Sequence, residues 1–165
     1  KASATATAVI RDFDGNELRR FELSASLRPN ENRRLKSFKA AELAGINPDE
    51  CFIELVTVAE ASDGRHFRHE NTFFFVPFKR CALRKPTLQV QVEERENRYF
   101  CRLSTDKPAF FVTLDTPGIP GIFSDNSLTL LPDETVELEF APKRNTSVEE
   151  LQKALAVNCL RKTYN

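Results

Sequence analysis

The chain has 165 residues, room for one domain or two small ones. Hydrophobic residues make up 41% and charged residues 29%, and 24 Lys and Arg balance 24 Asp and Glu, giving a formal charge of zero. That balance excludes a general polyanion-binding footprint, which needs a basic excess, so no nucleic-acid partner is expected. No apolar run approaches the ~20 residues of a membrane-spanning helix, and no membrane partner is expected either.

Short apolar runs punctuated by turn residues fill the chain. Thr5–Asp12 and Leu18–Ala25 flank Asp14-Gly15-Asn16, a strong hairpin signal. Arg28-Pro29-Asn30 turns the chain, Arg34–Phe38 reads as a weak third strand, and Lys39–Gly45 as one helical turn stopped by Gly45 and Pro48. Cys51–Ala59 carries apolar residues on both faces, as a central strand does. Ser62-Asp63-Gly64 is a further hairpin turn, followed by the polar stretch Arg65–Glu70 and a strand over Asn71–Val76. Phe73, Phe74 and Phe75 are consecutive there. Successive strand side chains point to opposite faces, so at least one of the three must be covered by something other than its own core.

Pro77 and Pro86 bracket a basic crossing segment, after which the pattern restarts. Leu88–Val92, Tyr99–Leu103, Ala109–Leu114, Leu128–Leu131 and Val136–Phe140 read as strands, with turns at Glu94–Asn97 and Pro132-Asp133-Glu134. Ser147-Val148-Glu149-Glu150 fits a capping box opening a short helix with Val148, Leu151 and Leu155 on one face. Val157–Tyr164 reads as a last strand. The expected fold class is all-β: two tandem immunoglobulin-like β-sandwiches, residues 1–85 and 86–165, each with six or seven strands, and one short helix near the C-terminus. The halves carry +3 and −3, a complementarity that favours docking only weakly.

Reactive groups are few. Cys51, Cys81, Cys101 and Cys159 form no Cys-x-x-Cys pair, which excludes zinc-ribbon and thioredoxin readings; they read as small buried hydrophobes, with three connectivities open if they pair. His66 and His69, three apart on a strand, face opposite ways and make no metal pair. No phosphate-cradling glycine loop or nucleophile elbow is present. The acids Glu93, Glu94, Glu96, Glu137, Glu139, Glu149 and Glu150 sit at turns, on solvated strand faces or in a first helical turn. A catalytic pair needs a pocket that separates two pKa values, and none is legible. No residue is assigned a catalytic, cofactor or metal role. The long loop Asp115–Asn126, with two Pro and two Gly, stands apart. Asp125 and Asn126 are expected to structure its turn through local backbone hydrogen bonds.

Phe111–Gly118, the string Gly121-Ile122-Phe123-Ser124-Asp125-Asn126 and then Leu130-Leu131-Pro132 resemble the C-terminal immunoglobulin-like domain of β-mannosidases of glycoside hydrolase family 2. Glu70–Pro77 resembles the end of the preceding immunoglobulin or carbohydrate-module-like domain. Ile122 departs from the basic residue expected at its position, and Ser127-Leu128 from an aromatic pair. The resemblance implies a parent enzyme that removes terminal β-mannose with retention, using two glutamates on a barrel N-terminal to this segment, so the segment alone should be inert. It implies accessory domains that pack against and position that barrel, with Phe73, Phe74, Phe75 and Phe123 as contact candidates. The alternative is an autonomous carbohydrate-binding module with a mannose-containing oligosaccharide as partner. The absence of Trp, whose ring suits sugar stacking, weighs against it, and the resemblance also disfavours an adhesion domain. The chain lacks Met, and a start at Lys1 does not follow from simple Met removal, so a segment of a longer protein is expected. Unpatterned cysteines lean towards a reducing, cytoplasmic setting, while the sequon Asn145-Thr146-Ser147 would serve a secreted protein, which leaves the compartment open.

Overall fold

Asp12 and Gly15 set the first hairpin. The Asp12 Oδ1 accepts from the backbone N–H groups of Asp14 and Asn16, each at 2.9 Å, and Gly15 takes a φ of 98° that side-chain-bearing residues avoid. The computed structural model, which describes residues 2–29, 31–132 and 134–164, divides into two units, residues 1–83 and 84–165. The expected turn residues Asn30 and Asp133 lie outside the described residues, as does Lys1.

In the first unit β1 (Ala2–Asp12), β2 (Glu17–Leu27), β3 (Cys51–Ala61) and β4 (His66–Phe74) form one antiparallel sheet in the order β2-β1-β3-β4. Its inner strands are β1 and β3, as the two-faced apolar pattern of β3 requires. The register pairs Ala8 with Phe21 and Leu55, and Ile10 with Ile53, so these side chains share one face. The irregular segment after β2 covers part of that face, placing Phe38, Leu43 and Ile46 on the cluster of Ala8, Ile10, Cys51 and Ile53. Phe52 and Phe74 are paired on the opposite face, where Phe13 stacks 5.7 Å from Phe52.

Two expectations for this unit need correction. It has four strands among the described residues, not six or seven, and Arg34–Phe38 is no strand. Its residues serve as a lid: Phe38 meets the Phe21 ring edge-on at 4.9 Å, and the Lys36 ammonium lies 5.0 Å from the same ring while pairing with Glu42 at 2.6 Å. Strand β4 also begins at His66, well before Asn71. An edge strand solvated on both faces has no apolar alternation to betray it.

The second unit is a two-sheet sandwich. β5 (Leu88–Arg95), β6 (Arg98–Thr105), β10 (Val136–Pro142) and β8 (Gly121–Phe123) form one sheet in the order β5-β6-β10-β8. β11 (Ala156–Asn158), β7 (Ala109–Asp115) and β9 (Leu128–Leu130) form the other in the order β11-β7-β9. Cys101, Leu103 and Leu138 from the first sheet meet Ala109, Val112, Leu114 and Leu130 from the second. Glu96 and Asn97, with φ of 53° and 60°, make the tight turn between β5 and β6. In β7 the register shifts between Ala109 and Val112, and Phe111 takes a φ of 50°. This bulge brings Ala109 and Val112, three residues apart, onto the same core-facing side, while Phe111 turns out.

The helix α1 (Val148–Ala154) closes one end, with the Ser147 hydroxyl accepting from the Glu150 N–H at 3.2 Å and Leu151 fully buried against Tyr99, Ile119 and Phe140. The last strand is shorter than the expected Val157–Tyr164. It ends at Asn158, and Leu160–Thr163 winds into a 3₁₀ turn, since Cys159–Tyr164 carries no period-two pattern to hold a ladder. The long loop contains a strand that the sequence did not reveal, β8, which depends on one missing side chain. A Cβ on Gly121 would lie 2.2 Å from the Phe140 ring and 2.8 Å from the Ala141 carbonyl oxygen. Gly121→Ala is therefore expected to cost the second unit about 1–3 kcal/mol in denaturant unfolding, with the first unit's transition unmoved.

Candidate functional site

The surface that the first unit leaves uncovered starts with Phe73 and Phe74, which end β4, and Phe75 just beyond it. Phe74 points to the face of Phe52 and Phe13, with ring centroids 6.3 and 6.4 Å away, and meets Phe78 edge-on at 4.9 Å. Phe73 is paired with Ile53 on the opposite face. Phe75 packs on the Ile10–Ile53 cluster and touches Phe73 edge-on at 5.7 Å. The lid ends short of Phe73, which stays 58% exposed. Phe67 lies six residues earlier on the same strand and face, 51% exposed, with the Arg65 guanidinium 5.7 Å from its ring. Two large apolar rings on one solvated strand face are an unpaid hydrophobic cost, of the sort that marks a contact surface. Phe67 was missed from sequence because it stands inside the polar run Arg65–Glu70, where a single aromatic looks incidental.

Phe123 is placed differently. Its ring lies 4.6 Å from that of Phe140 and packs against both core clusters of the second unit. Of the loop's apolar residues, Ile122 is the one that stands out, at 63% exposed.

Asn126 closes the loop. Its Oδ1 accepts from the Leu114 N–H and its Nδ2 donates to the Leu114 carbonyl, both at 2.9 Å. The side-chain amide thus takes the place of a neighbouring strand's peptide, satisfying a buried residue's backbone in both directions. Asp125 acts locally, with its Oδ1 accepting from the Asn126 N–H at 2.7 Å. Thr116 donates to the Ile119 carbonyl at 2.8 Å, and the Ser124 hydroxyl accepts from the Glu139 N–H at 3.0 Å. The result is a shallow depression lined by the loop itself.

The electrostatics favour permanently charged carboxylates. Arg20 holds Glu17 below its ordinary value, Arg95 does so for Glu137, and Arg144 with Thr146 does so for Glu150. Glu31, Glu42, Asp63, Asp106 and Glu149 are lowered by hydrogen bonds as well. A glycosidase acid needs the opposite, a carboxyl kept protonated near neutrality. Burial pushes the Cys101 thiol up to about 11, and burial together with the neighbouring Cys81 does the same for Cys51. Burial raises Tyr99, whose hydroxyl donates to the Thr146 carbonyl at 2.6 Å. His66 and His69 pair with Glu60 and Thr57 across β3 and so face opposite ways. Among the described residues no group of three His, Cys, Asp or Glu is arranged to hold a metal, and no helix is long and apolar enough to cross a membrane.

Residues 1–80 match the family described as Mannosidase Ig/CBM-like domain, and residues 83–163 match the Ig-fold domain family of mannosidases. A β-mannosidase of Capra hircus is 32% identical over 105 residues, covering 63% of this chain and 12% of that protein. β-Mannosidase A of Aspergillus clavatus is 28% identical over 130 residues, covering 73% of this chain and 14% of that protein. The chain thus spans about an eighth of the length of these curated relatives. The crystal structure of a β-D-mannosidase from Dictyoglomus thermophilum superposes on 96% of this chain and 18% of its own with a TM-score of 0.68 at 17% identity, a likeness of fold.

Asn126→Ala strips a buried peptide of two partners and is expected to destabilise the second unit by about 1–3 kcal/mol in chemical unfolding, against about 0.5–1 kcal/mol for Asp125→Ala. For Glu150, the folded carboxyl titrates below its unfolded value of 4.5. Its contribution to stability is complete above that value and is lost as pH falls through the folded pKa. Thermal unfolding temperatures of the second unit should therefore fall as pH drops below 4.5, and less steeply in Glu150→Gln.

Proposed function

The chain belongs to the immunoglobulin-like domain families of β-mannosidases, and on that premise we propose that it is the accessory part of a larger retaining glycosidase that releases terminal β-mannose. Both units match families of mannosidase immunoglobulin-like domains, and the matching relatives are about eight times longer than the matched region; this observation carries the reading. The two carboxylates of a retaining mechanism stand ~5–5.5 Å apart across a pocket. The carboxylates with displaced pKa values here are instead lowered by arginine, lysine or other hydrogen-bond partners. The reacting groups belong to the catalytic barrel of the parent polypeptide.

In this reading the first unit contributes a docking surface. Phe73 and Phe67 supply exposed rings on a rigid strand, and burying one such ring against the barrel contributes ~1.5–3 kcal/mol. Phe74 and Phe75 serve the unit's own packing, and Phe75 meets the Phe73 ring edge-on. Phe123 supports the loop from within. The accessory role is thus one of position and stability, with the sugar handled elsewhere.

Two measurements test this. The purified chain should leave a chromogenic β-mannoside unhydrolysed and should give no saturable signal when titrated with manno-oligosaccharides. Turnover that survives repurification would overturn the accessory role, and saturable millimolar binding would favour a carbohydrate-binding module. In the parent enzyme, Phe73→Ser should lower the unfolding temperature of the assembly. In the isolated chain the same change should cost under about 1 kcal/mol, the edge contact with Phe75.

A further inference from the structure

The four cysteines are not equivalent. Cys101 and Cys159 both lie in the core of the second unit, yet burial alone displaces Cys101, with no contribution from Cys159. Cys51 is displaced by burial and then by the charge of Cys81, thirty residues along the chain. The backbone explains the proximity. After β4 the chain turns through a 3₁₀ segment, Phe78–Arg80, and comes back beside the start of β3. The Ala82 N–H donates to the Asp49 carbonyl at 2.8 Å, and the Arg80 guanidinium grips both Asp49 carboxylate oxygens at 3.0 and 3.1 Å. These contacts fix the residues on either side of Cys81 against the residue two before Cys51. The thiols donate to backbone carbonyls: Cys51 to Asn47 O at 3.1 Å, and Cys81 towards Val76 O at 3.7 Å and Pro77 O at 3.8 Å. Both are free cysteines.

We propose that Cys51 and Cys81 form a redox pair that closes into an intramolecular disulfide, fastening the segment that follows β4 to the start of β3. The accessibilities order the steps. Cys81 is half-exposed, whereas Cys51 is 1% exposed, so a small disulfide such as oxidised glutathione meets Cys81 first. The Cys81 thiol loses its proton and attacks one sulfur of the glutathione disulfide; that S–S bond breaks and one glutathione leaves as the thiol. Cys51 then gives up its proton and attacks the Cys81 sulfur of the mixed disulfide, expelling the second glutathione. Two protein thiols are oxidised to one disulfide, and one glutathione disulfide is reduced to two thiols. The raised thiol pKa values make the reaction slow near neutral pH and faster in mild alkali. The bond would clamp both ends of a thirty-residue stretch containing β3 and β4, restricting the unfolded chain.

The test incubates the folded, fully reduced chain with oxidised glutathione at mildly alkaline pH, quenches by acid and maps peptides without reductant. The expected result is a Cys51–Cys81 linked peptide, Cys101 and Cys159 still alkylatable after unfolding, and an unfolding temperature of the first unit raised by several degrees and restored by dithiothreitol. Cys81→Ser, at a half-exposed site, should keep the fold and abolish both the linkage and the shift. A stable glutathione adduct on Cys81, a dimer joined through Cys81, or a Cys101–Cys159 linkage in its place would overturn the proposal.

Discussion

A β-strand sends successive side chains to opposite faces, and this alternation governs what the first unit can cover. Three phenylalanines in a row at the end of β4 cannot all enter one core. Phe74 joins Phe13, Phe52 and Phe78 on one side, and Phe75 joins the Ile10–Ile53 cluster on the other. Phe73 shares the second side, but the lid of Phe38, Leu43 and Ile46 ends before reaching it. A single four-stranded sheet has two faces to cover, and the segments after β2 and β4 cover only part of them. The excess appears as exposed rings, and the docking role rests on that excess.

The second unit resolves the same problem internally. Its two sheets cover each other, and places where the ladder would be interrupted are repaired by individual residues. The bulge at Phe111 keeps Ala109 and Val112 on one inward face, Gly121 lets β8 run against the Phe140 ring, and Asn126 supplies a side-chain amide to Leu114, beyond the last β7–β9 pair. Tyr99 ties the helix-bearing end to β6 through Thr146. The charges are spent on pairing, as with Arg144 and Glu150, which holds the carboxylates ionised and away from acid–base work.

Much of this was legible in the sequence. Asp14-Gly15 marked the first hairpin, Cys51–Ala59 declared itself an inner strand, and Ser147 announced the helix cap. The string from Gly121 to Asn126 pointed to the mannosidase families that the two units match. What escaped reading was set by tertiary partners. Arg34–Phe38 has strand-like composition but no strand to pair with, so it became a lid. His66–Glu70 is polar apart from Phe67 and pairs only because β3 offers an edge. Three residues of β8 lack the length to show a period, and their place is fixed by β10. The partners of Asn126 lie twelve residues away and could not be named from the turn alone.

The claim that the open face of the first unit is covered in the parent enzyme can be read directly by hydroxyl-radical footprinting, comparing the isolated chain with the intact parent. The account requires Phe73 and Phe67 to oxidise readily in the isolated chain and to be strongly protected in the parent, with Ile10 and Leu151 protected in both. Equal oxidation of Phe73 in the two samples would contradict it.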